Sequence, residues 1–120
     1  MESFRELIVW QKGMQMVSKV YARSCGFPKG EIFGLTLQIR RCAVSIPSNI
    51  AEGYGRQHTT DYVRFLQIAR GSLNELITQL EVAGNLGYLQ DYSDELKDCD
   101  EIGKMLNSLI NKLLTSTKKR

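Results

Sequence analysis

A row of hydrogen-bonding side chains stands out in the middle of the chain: Arg41, Ser45, Asn49, Glu52 and Arg56. Steps of three and four residues bring them onto one side of an α-helix, within an arc of roughly 100°. Such a row suits either a catalytic site or a set of polar contacts with another molecule. Serine and asparagine are poor helix formers, so exposure to water alone does not explain their presence here.

Catalysis and metal binding find little support elsewhere in the sequence. The single histidine, His58, lies in a predicted loop, and no serine or cysteine is paired with it in a recognisable pattern. The three cysteines form no C-x-x-C pair, and the metal-binding Glu-x-x-His pattern of helical bundles does not occur. We therefore expect no catalytic residue, no metal and no cofactor, which leaves the row as a candidate contact surface.

Four amphipathic segments are predicted to position this row. Apolar residues recur at spacings of three and four, and breaks that contain glycine separate the segments. The predicted helices cover about residues 4–25, 31–52, 60–86 and 92–115. Because the connections are short and no stretch of alternating β-branched residues occurs, we predict an all-α chain with a single domain over residues 1–120. Its expected architecture is an antiparallel up-down-up-down four-helix bundle.

The same spacing predicts which side chains form the core of the bundle. The first helix is expected to bury Phe4, Leu7, Ile8, Met14, Val17 and Tyr21. The second is expected to bury Ile32, Leu35, Ile39, Cys42, Ile46 and Ile50. The third follows a heptad seam of Tyr62, Leu66, Ala69, Leu73, Leu76, Leu80 and Ala83, and the fourth contributes Leu96, Cys99, Ile102, Leu106, Leu109 and Leu113.

Local signals also predict how individual helices bend, begin and end. Pro47 lies inside the second helix, where it removes a backbone donor, so we expect a kink near it or a split helix. Thr59 or Thr60 is the expected N-cap of the third helix, and Gly87 its C-cap. A frayed basic tail is expected at residues 118–120.

A second apolar line on the second helix predicts self-association. Leu37, Val44 and Ala51 are spaced by sevens, apart from the core positions and beside the polar row. If this line docks another copy of the chain, the neighbouring polar side chains need hydrogen-bond partners across the contact. The predicted oligomer interface therefore consists of Leu37, Arg41, Val44, Ser45, Asn49, Ala51 and Glu52.

The charges are unevenly distributed along the chain. Residues 1–30 carry five basic side chains against two acidic ones, whereas residues 91–101 carry six acidic side chains and one lysine. This division permits contact with nucleic acid through one face, and head-to-tail attraction between two copies explains it equally well. The charged N-terminus does not resemble a signal peptide, and no apolar run approaches the ~20 residues of a membrane span, so we expect a cytoplasmic protein.

One extended motif carries a resemblance to a known family. Residues 37–56 read LQIRRCAVSIPSNIAEGYGR, and the shorter segments VWQK at 9–12 and YVRFL at 62–66 accompany them. In these segments the chain resembles the 23S rRNA intervening-sequence protein family. The resemblance implies a bacterial four-helix bundle that assembles as a ring-shaped homopentamer. It also implies a link to the accessory variability protein of diversity-generating retroelements, a basic pentamer that binds nucleic acid and a reverse transcriptase.

Two functions follow as hypotheses. The first is a non-enzymatic, homo-oligomeric adaptor that contacts the backbone of RNA or DNA through basic residues repeated around a ring. Its expected contacts are Lys12, Lys19, Arg23, Arg40 and Arg56, of which Arg40 and Arg56 are expected to stay free for phosphate. The second is a structural or protein-interaction scaffold that binds no nucleic acid. The expected partners are another copy of the chain, RNA or DNA, and a protein; a membrane is not among them.

Overall fold

The computed structural model describes residues 3–118, in which four helices form an elongated bundle of 52 × 22 × 20 Å. Each helix runs antiparallel to the next and packs against its two neighbours, with the first also contacting the fourth. The predicted all-α, up-down-up-down four-helix bundle is therefore confirmed. The helices are α1 (Ile8–Ser24), α2 (Leu35–Tyr54), α3 (Thr59–Asn85) and α4 (Ser93–Lys118), with 3₁₀ turns at Phe4–Glu6 and Lys29–Glu31.

The core is one continuous apolar cluster contributed by all four helices. On α3, six of the seven predicted heptad positions are buried and Tyr62 is partly buried, so this seam is confirmed. On α1 the core line is Val9, Gly13, Met16 and Val20, whereas Met14 and Tyr21 are each 43% exposed. The prediction that Ile8, Met14 and Tyr21 belong to the core is wrong, and Ile8 is 61% exposed, because apolar residues cover two adjacent sides of α1 and spacing alone cannot tell them apart.

Two predicted helix starts move because an extended residue or a glycine intervenes. The first helix begins at Ile8 and not at residue 4, since the extended backbone of Leu7 separates it from the 3₁₀ turn. The second begins at Leu35, after Gly34, and leaves Ile32 58% exposed in the preceding turn. The prediction that Ile32 belongs to the core is therefore wrong.

Helix α2 ends at Tyr54, two residues beyond its predicted end at residue 52, and its packing against α3 requires a glycine in its last turn. A Cβ atom at Gly53 would lie 2.8 Å from the Cβ of Phe65, so only glycine permits this close approach of the two helices. The cap of α3 is His58, whose carbonyl accepts the N–H groups of Asp61 and Tyr62. The prediction of Thr59 or Thr60 as the cap is wrong by one residue or two.

Helix α2 is unbroken across Pro47, so the alternative of a split helix is wrong. The proline is buried, and its Cβ lies 3.4 Å from the position of a Cβ on Gly13. Gly13 thus lets α1 pack closely on the proline ring. A kink at Pro47 stays a prediction.

The last connection and the last helix follow the expected local chemistry. The C-cap of α3 is Leu86, one residue before the predicted Gly87, which follows with a φ of +78° and donates its N–H to the carbonyl of Gly84. Helix α4 runs three residues beyond its predicted end, to Lys118, and the expected fraying of the tail stays a prediction. The rest of the predicted tail, residues 119–120, lies outside the described part of the chain. No helix within residues 3–118 is long and apolar enough to cross a membrane.

Candidate functional site

The basic side chains of α1 form an ionic seam with the acidic side chains of α4. Its three pairs are Lys12–Glu101, Lys19–Asp98 and Arg23–Glu95. The atoms Lys12 Nζ and Glu101 Oε2 are 3.1 Å apart, and the atoms Arg23 Nη1 and Glu95 Oε2 are 3.6 Å apart. Because α1 and α4 are antiparallel, the basic segment near the start of the chain meets the acidic segment near its end. Three of the five basic side chains of residues 1–30 are thus paired with acidic side chains of the same chain.

The pair at the end of the seam is the most buried of the three. Glu95 is 6% exposed, and its Oε1 atom has no hydrogen-bond partner among the described residues. Arg23 also donates to the backbone carbonyls of Gln90 and Asp91. Arg23 therefore connects α1 both to the buried carboxylate of α4 and to the loop before α4.

The remaining two predicted nucleic-acid contacts also have partners within the chain. Arg40 donates to Ser24 Oγ at 2.7 Å, and its guanidinium carbon lies 4.6 Å from the ring centre of Tyr21. Arg56 donates to Glu52 Oε1 at 3.3 Å and lies 4.6 Å from the ring centre of Phe65. All five predicted cations thus interact with other groups of their own chain.

The predicted oligomer interface divides into two sides along α2. The first side is an apolar groove of about 360 Å³ between α1 and α2. Val44 and Ala51 line it from the predicted apolar line, and the other lining residues are Trp10, Met14, Val17, Pro47 and Ser48. Leu37, the third residue of that line, is half-buried and lies outside the groove.

The second side is a polar groove of about 280 Å³ between α2 and α3. Arg41, Ser45, Ser72 and Glu75 line it together with Gln38 and Cys42. Ser45 Oγ and Ser72 Oγ are 2.8 Å apart, within hydrogen-bond distance. Asn49 donates from Nδ2 to the carbonyl and the hydroxyl of Ser45, at 2.8 and 3.0 Å.

These contacts explain the serine and the asparagine of the polar row. Their side chains bind each other and α3, so they stabilise the packing of α2 on α3 within one chain. Arg41 differs from them, because it is exposed and no ion pair joins it to an acidic side chain in the described part of the chain. Of the polar row, Arg41 is the residue that the fold of a single chain does not explain.

Two of the three thiol groups, those of Cys42 and Cys99, are buried, whereas Cys25 is exposed. Burial raises the pKa of Cys42 to about 12, and the thiol donates to the carbonyl of Ser72 at 3.0 Å. Burial likewise raises the pKa of Cys99 to about 12, so neither thiol is a nucleophile near neutral pH. His58 is exposed at the start of α3. Across residues 3–118, no three His, Cys, Asp or Glu side chains lie close enough together to hold a metal ion.

Sequence reasoning missed the contribution of α1 to the apolar groove. Trp10, Met14, Val17 and Tyr21 are spaced by four, three and four, so they form a second apolar line one position away from the core line. This line was the available signal, because an apolar helix face wider than one seam indicates a second contact.

Comparisons with known proteins agree with this architecture. The model of the 23S rRNA-intervening sequence protein family matches residues 5–108. A crystal structure from Bacteroides thetaiotaomicron, of a protein with unknown function from the S23 ribosomal protein family, is similar with a TM-score of 0.80 and 27% sequence identity. The alignment covers 87% of this chain and 96% of that chain. None of the curated proteins matches. The bundle of α1–α4, with its match over most of the chain, therefore belongs to the 23S rRNA-intervening sequence protein family.

Proposed function

We propose that this chain is a non-enzymatic scaffold that self-assembles through the outer side of α2, which carries Arg41 and the groove residues Val44 and Ala51. The apolar groove between α1 and α2 carries the proposal. A homopentameric ring is the assembly that the sequence resemblance implies, and the occupant of the groove is then a helix of a second copy.

Exposed apolar side chains are common singly on protein surfaces, but here they lie together on two adjacent helices. Met14 is 43% exposed and Val44 39% exposed, and both line the groove, with Trp10 beside them. Polar residues border it on the side of α3, since Arg41 and Ser45 line the neighbouring polar groove. An apolar centre with a polar rim is typical of a protein–protein interface.

The ionic seam favours the scaffold over the nucleic-acid adaptor. A phosphate group that binds Lys12, Lys19 or Arg23 must compete with a carboxylate of α4 for each of them. The net charge of +3 adds little long-range attraction, and even five copies amount to only about +15.

Light scattering after size-exclusion chromatography tests the proposed self-assembly. The wild type is expected to elute at a multiple of the 13.6 kDa chain mass. Val44→Asp places a charge in the apolar groove, and we expect it to reduce the mass to that of one chain. Leu114→Asp is the matched control, because Leu114 is similarly exposed, at 41%, near the far end of α4. A monomeric wild type, or equal masses for the wild type and Val44→Asp, contradicts the proposal.

A second candidate function is contact with an RNA or DNA backbone at the turn between α2 and α3. Arg56 and Arg64 lie 4.6 and 5.3 Å from the centre of the same Phe65 ring, which concentrates two guanidinium groups there. Arg56 pairs with Glu52, whose side chain is 56% exposed, and such exposed pairs are weak. The link to the accessory variability protein stays a prediction, since neither the matched family nor the similar structure carries that name.

Filter binding of a structured RNA at several salt concentrations tests this second function. We expect Arg56→Gln/Arg64→Gln to reduce the salt slope by about 2, one for each lost phosphate contact. The control is Lys104→Gln, whose lysine pairs with Asp100 on α4. If the wild type does not bind RNA at low salt, the second function is wrong.

A further inference from the structure

The outer side of α3 contains a glycine that its own chain does not explain. Gly71 lies in the interior of α3, is exposed, and has no atom within 4 Å of the position that a Cβ would occupy. Glycine is less favourable than alanine inside a helix. By contrast, Gly13, Gly53 and Gly84 each lie against another side chain of the bundle. A residue that costs helix stability and gains no packing in the single chain indicates close approach by another molecule.

Two neighbours of Gly71 have the chemistry to hold such a molecule. Ile68, about one turn earlier on the same side of α3, is 44% exposed. Glu75, about one turn later, is an exposed carboxylate at the polar groove. We call Ile68, Gly71 and Glu75 the α3 outer face.

The outer side of α2 offers the complementary groups. Arg41 and Glu75 line the same polar groove, yet they form no ion pair with each other. Beyond Arg41, along the same helix, the apolar groove begins at Val44 and extends to Ala51. Because α2 and α3 are antiparallel, the order of Arg41 and then the apolar groove along α2 matches the order of Glu75 and then Ile68 read backwards along α3.

The register of the two helices places these groups at matching levels. The contact between Ser45 and Ser72 fixes the level of α2 against α3, and the helices are antiparallel with equal rise per residue. Arg41 lies four residues before Ser45 on α2, and Glu75 lies three residues after Ser72 on α3. The two charged residues therefore lie at nearly the same height along the bundle. In the opposite direction, Ile68 falls at the level of Asn49, between the ends of the apolar groove.

A cyclic assembly whose axis runs along the helices preserves these levels, because rotation about that axis moves no residue up or down. Such assemblies use two different surfaces of each chain, one of which docks on the other in the next copy. If α3 of one copy lies on α2 of the next, Glu75 meets Arg41, and Ile68 reaches the apolar groove. Gly71 lies between them, where the absence of a side chain lets the two helices approach.

We propose that the occupant of the outer side of α2 is the α3 outer face of a second copy, held by an ion pair between Arg41 and Glu75. This inference rests on the proposed self-assembly, and it adds the partner surface, the register and the charged contact. The ion pair favours the docking of α2 on α3 over the docking of two identical faces. Two identical faces would place arginine opposite arginine or glutamate opposite glutamate.

A charge exchange tests the inference in the full-length protein. Arg41→Glu and Glu75→Arg are each expected to raise the dissociation constant of the assembly about tenfold or more, because each places like charges opposite one another. The double variant Arg41→Glu/Glu75→Arg restores opposite charges and is expected to assemble within about threefold of the wild type. Glu81→Arg is the matched control, since Glu81 is an exposed acid of α3 outside the α3 outer face.

The outcomes separate this inference from the proposed function. If Val44→Asp dissociates the assembly while Arg41→Glu and Glu75→Arg leave it intact, self-assembly stands and the pairing is wrong. If both single variants dissociate and the double variant does not recover, the two residues do not face each other, and the inference is also wrong. Far-ultraviolet circular dichroism confirms that each variant is folded. A monomeric wild type overturns both proposals.

Discussion

Helix α1 has two borders that differ in their chemistry. Towards α4 it forms the ionic seam, in which each of its three cations meets a carboxylate. Towards α2 it leaves the apolar groove, in which Met14 and Val44 remain two-fifths exposed. Three of the five cations predicted to contact nucleic acid are thus paired with carboxylates of their own chain, whereas the border towards α2 leaves apolar side chains exposed. In this bundle, the number of charged residues in a segment does not show whether that segment contacts another molecule or another helix of the same chain.

The largest expected effect distinguishes the core of α1 from its open border. Met16 is 1% exposed, so we expect Met16→Ala to lower the free energy of unfolding by about 2–5 kcal/mol. Met14→Ala, two residues away, is expected to change it by less than about 0.5 kcal/mol, because Met14 lines an open groove. Urea denaturation at a concentration below that of assembly measures both. Equal losses would mean that the apolar groove belongs to the fold of the single chain.

Removal of Arg23 is the next largest test, and it concerns the buried end of the ionic seam. We expect Arg23→Met to cost about 2–3 kcal/mol, since it leaves the Glu95 carboxylate buried without its partner. Replacement of both residues, in Arg23→Met/Glu95→Leu, is expected to recover most of this loss. Urea denaturation monitored by circular dichroism measures the free energy of unfolding. A double variant that is less stable than Arg23→Met contradicts this account.

The exposed end of the ionic seam is expected to contribute less. In the Lys12–Glu101 pair the side chains are 34% and 42% exposed, so we expect Lys12→Met to cost about 1 kcal/mol or less. The loss should shrink further in high salt, which screens exposed pairs. The same denaturation experiment at low and high salt provides the measurement. A loss as large as that of Arg23→Met would show that burial does not set the strength of these pairs.

The smallest effect is a pH dependence from the middle pair of the ionic seam. The hydrogen bond to Asp98 raises the pKa of Lys19 above its usual 10.5. This contribution to stability is complete below the unfolded pKa and is lost as the pH rises through the higher folded pKa. The difference in unfolding free energy between wild type and Lys19→Met should therefore shrink above about pH 10.5. A difference that stays constant through strongly alkaline pH contradicts the assignment.

The predicted fold was accurate where spacing is regular and less so near irregular backbone. The seam of α3, with its steady alternation of three and four, identified six of the nine buried residues of that helix, and Gly87 marked its end. The start of α2 was misplaced because the turn before Gly34 continues the apolar spacing of the helix. The predicted end of α2 at residue 52 is two residues early, because the role of Gly53 depends on contact with Phe65, a residue that lies in another helix.

The candidate site was predictable in part. The apolar line of α2 was visible as a spacing of sevens, and two of its three residues line the apolar groove. The contributions of Trp10 and Met14 were missed, since no spacing within α2 shows which side of α1 lies beside it. Asn49 and Ser45 were assigned to an interface with another copy, a prediction that no observation yet tests, while the structure gives them partners within the chain.

The sequence by itself determined the number of helices, their antiparallel order and most of the core, because burial of one apolar side per helix is a local property of spacing. The tertiary structure decided which charges neutralise each other and which remain free. That decision depends on residues about 80 positions apart, such as Lys19 and Asp98, which become neighbours only when α1 packs on α4. A count of charges along the chain does not show which charged side chains lie close together. The partners of the three α1 cations follow only from the packing of α1 on α4.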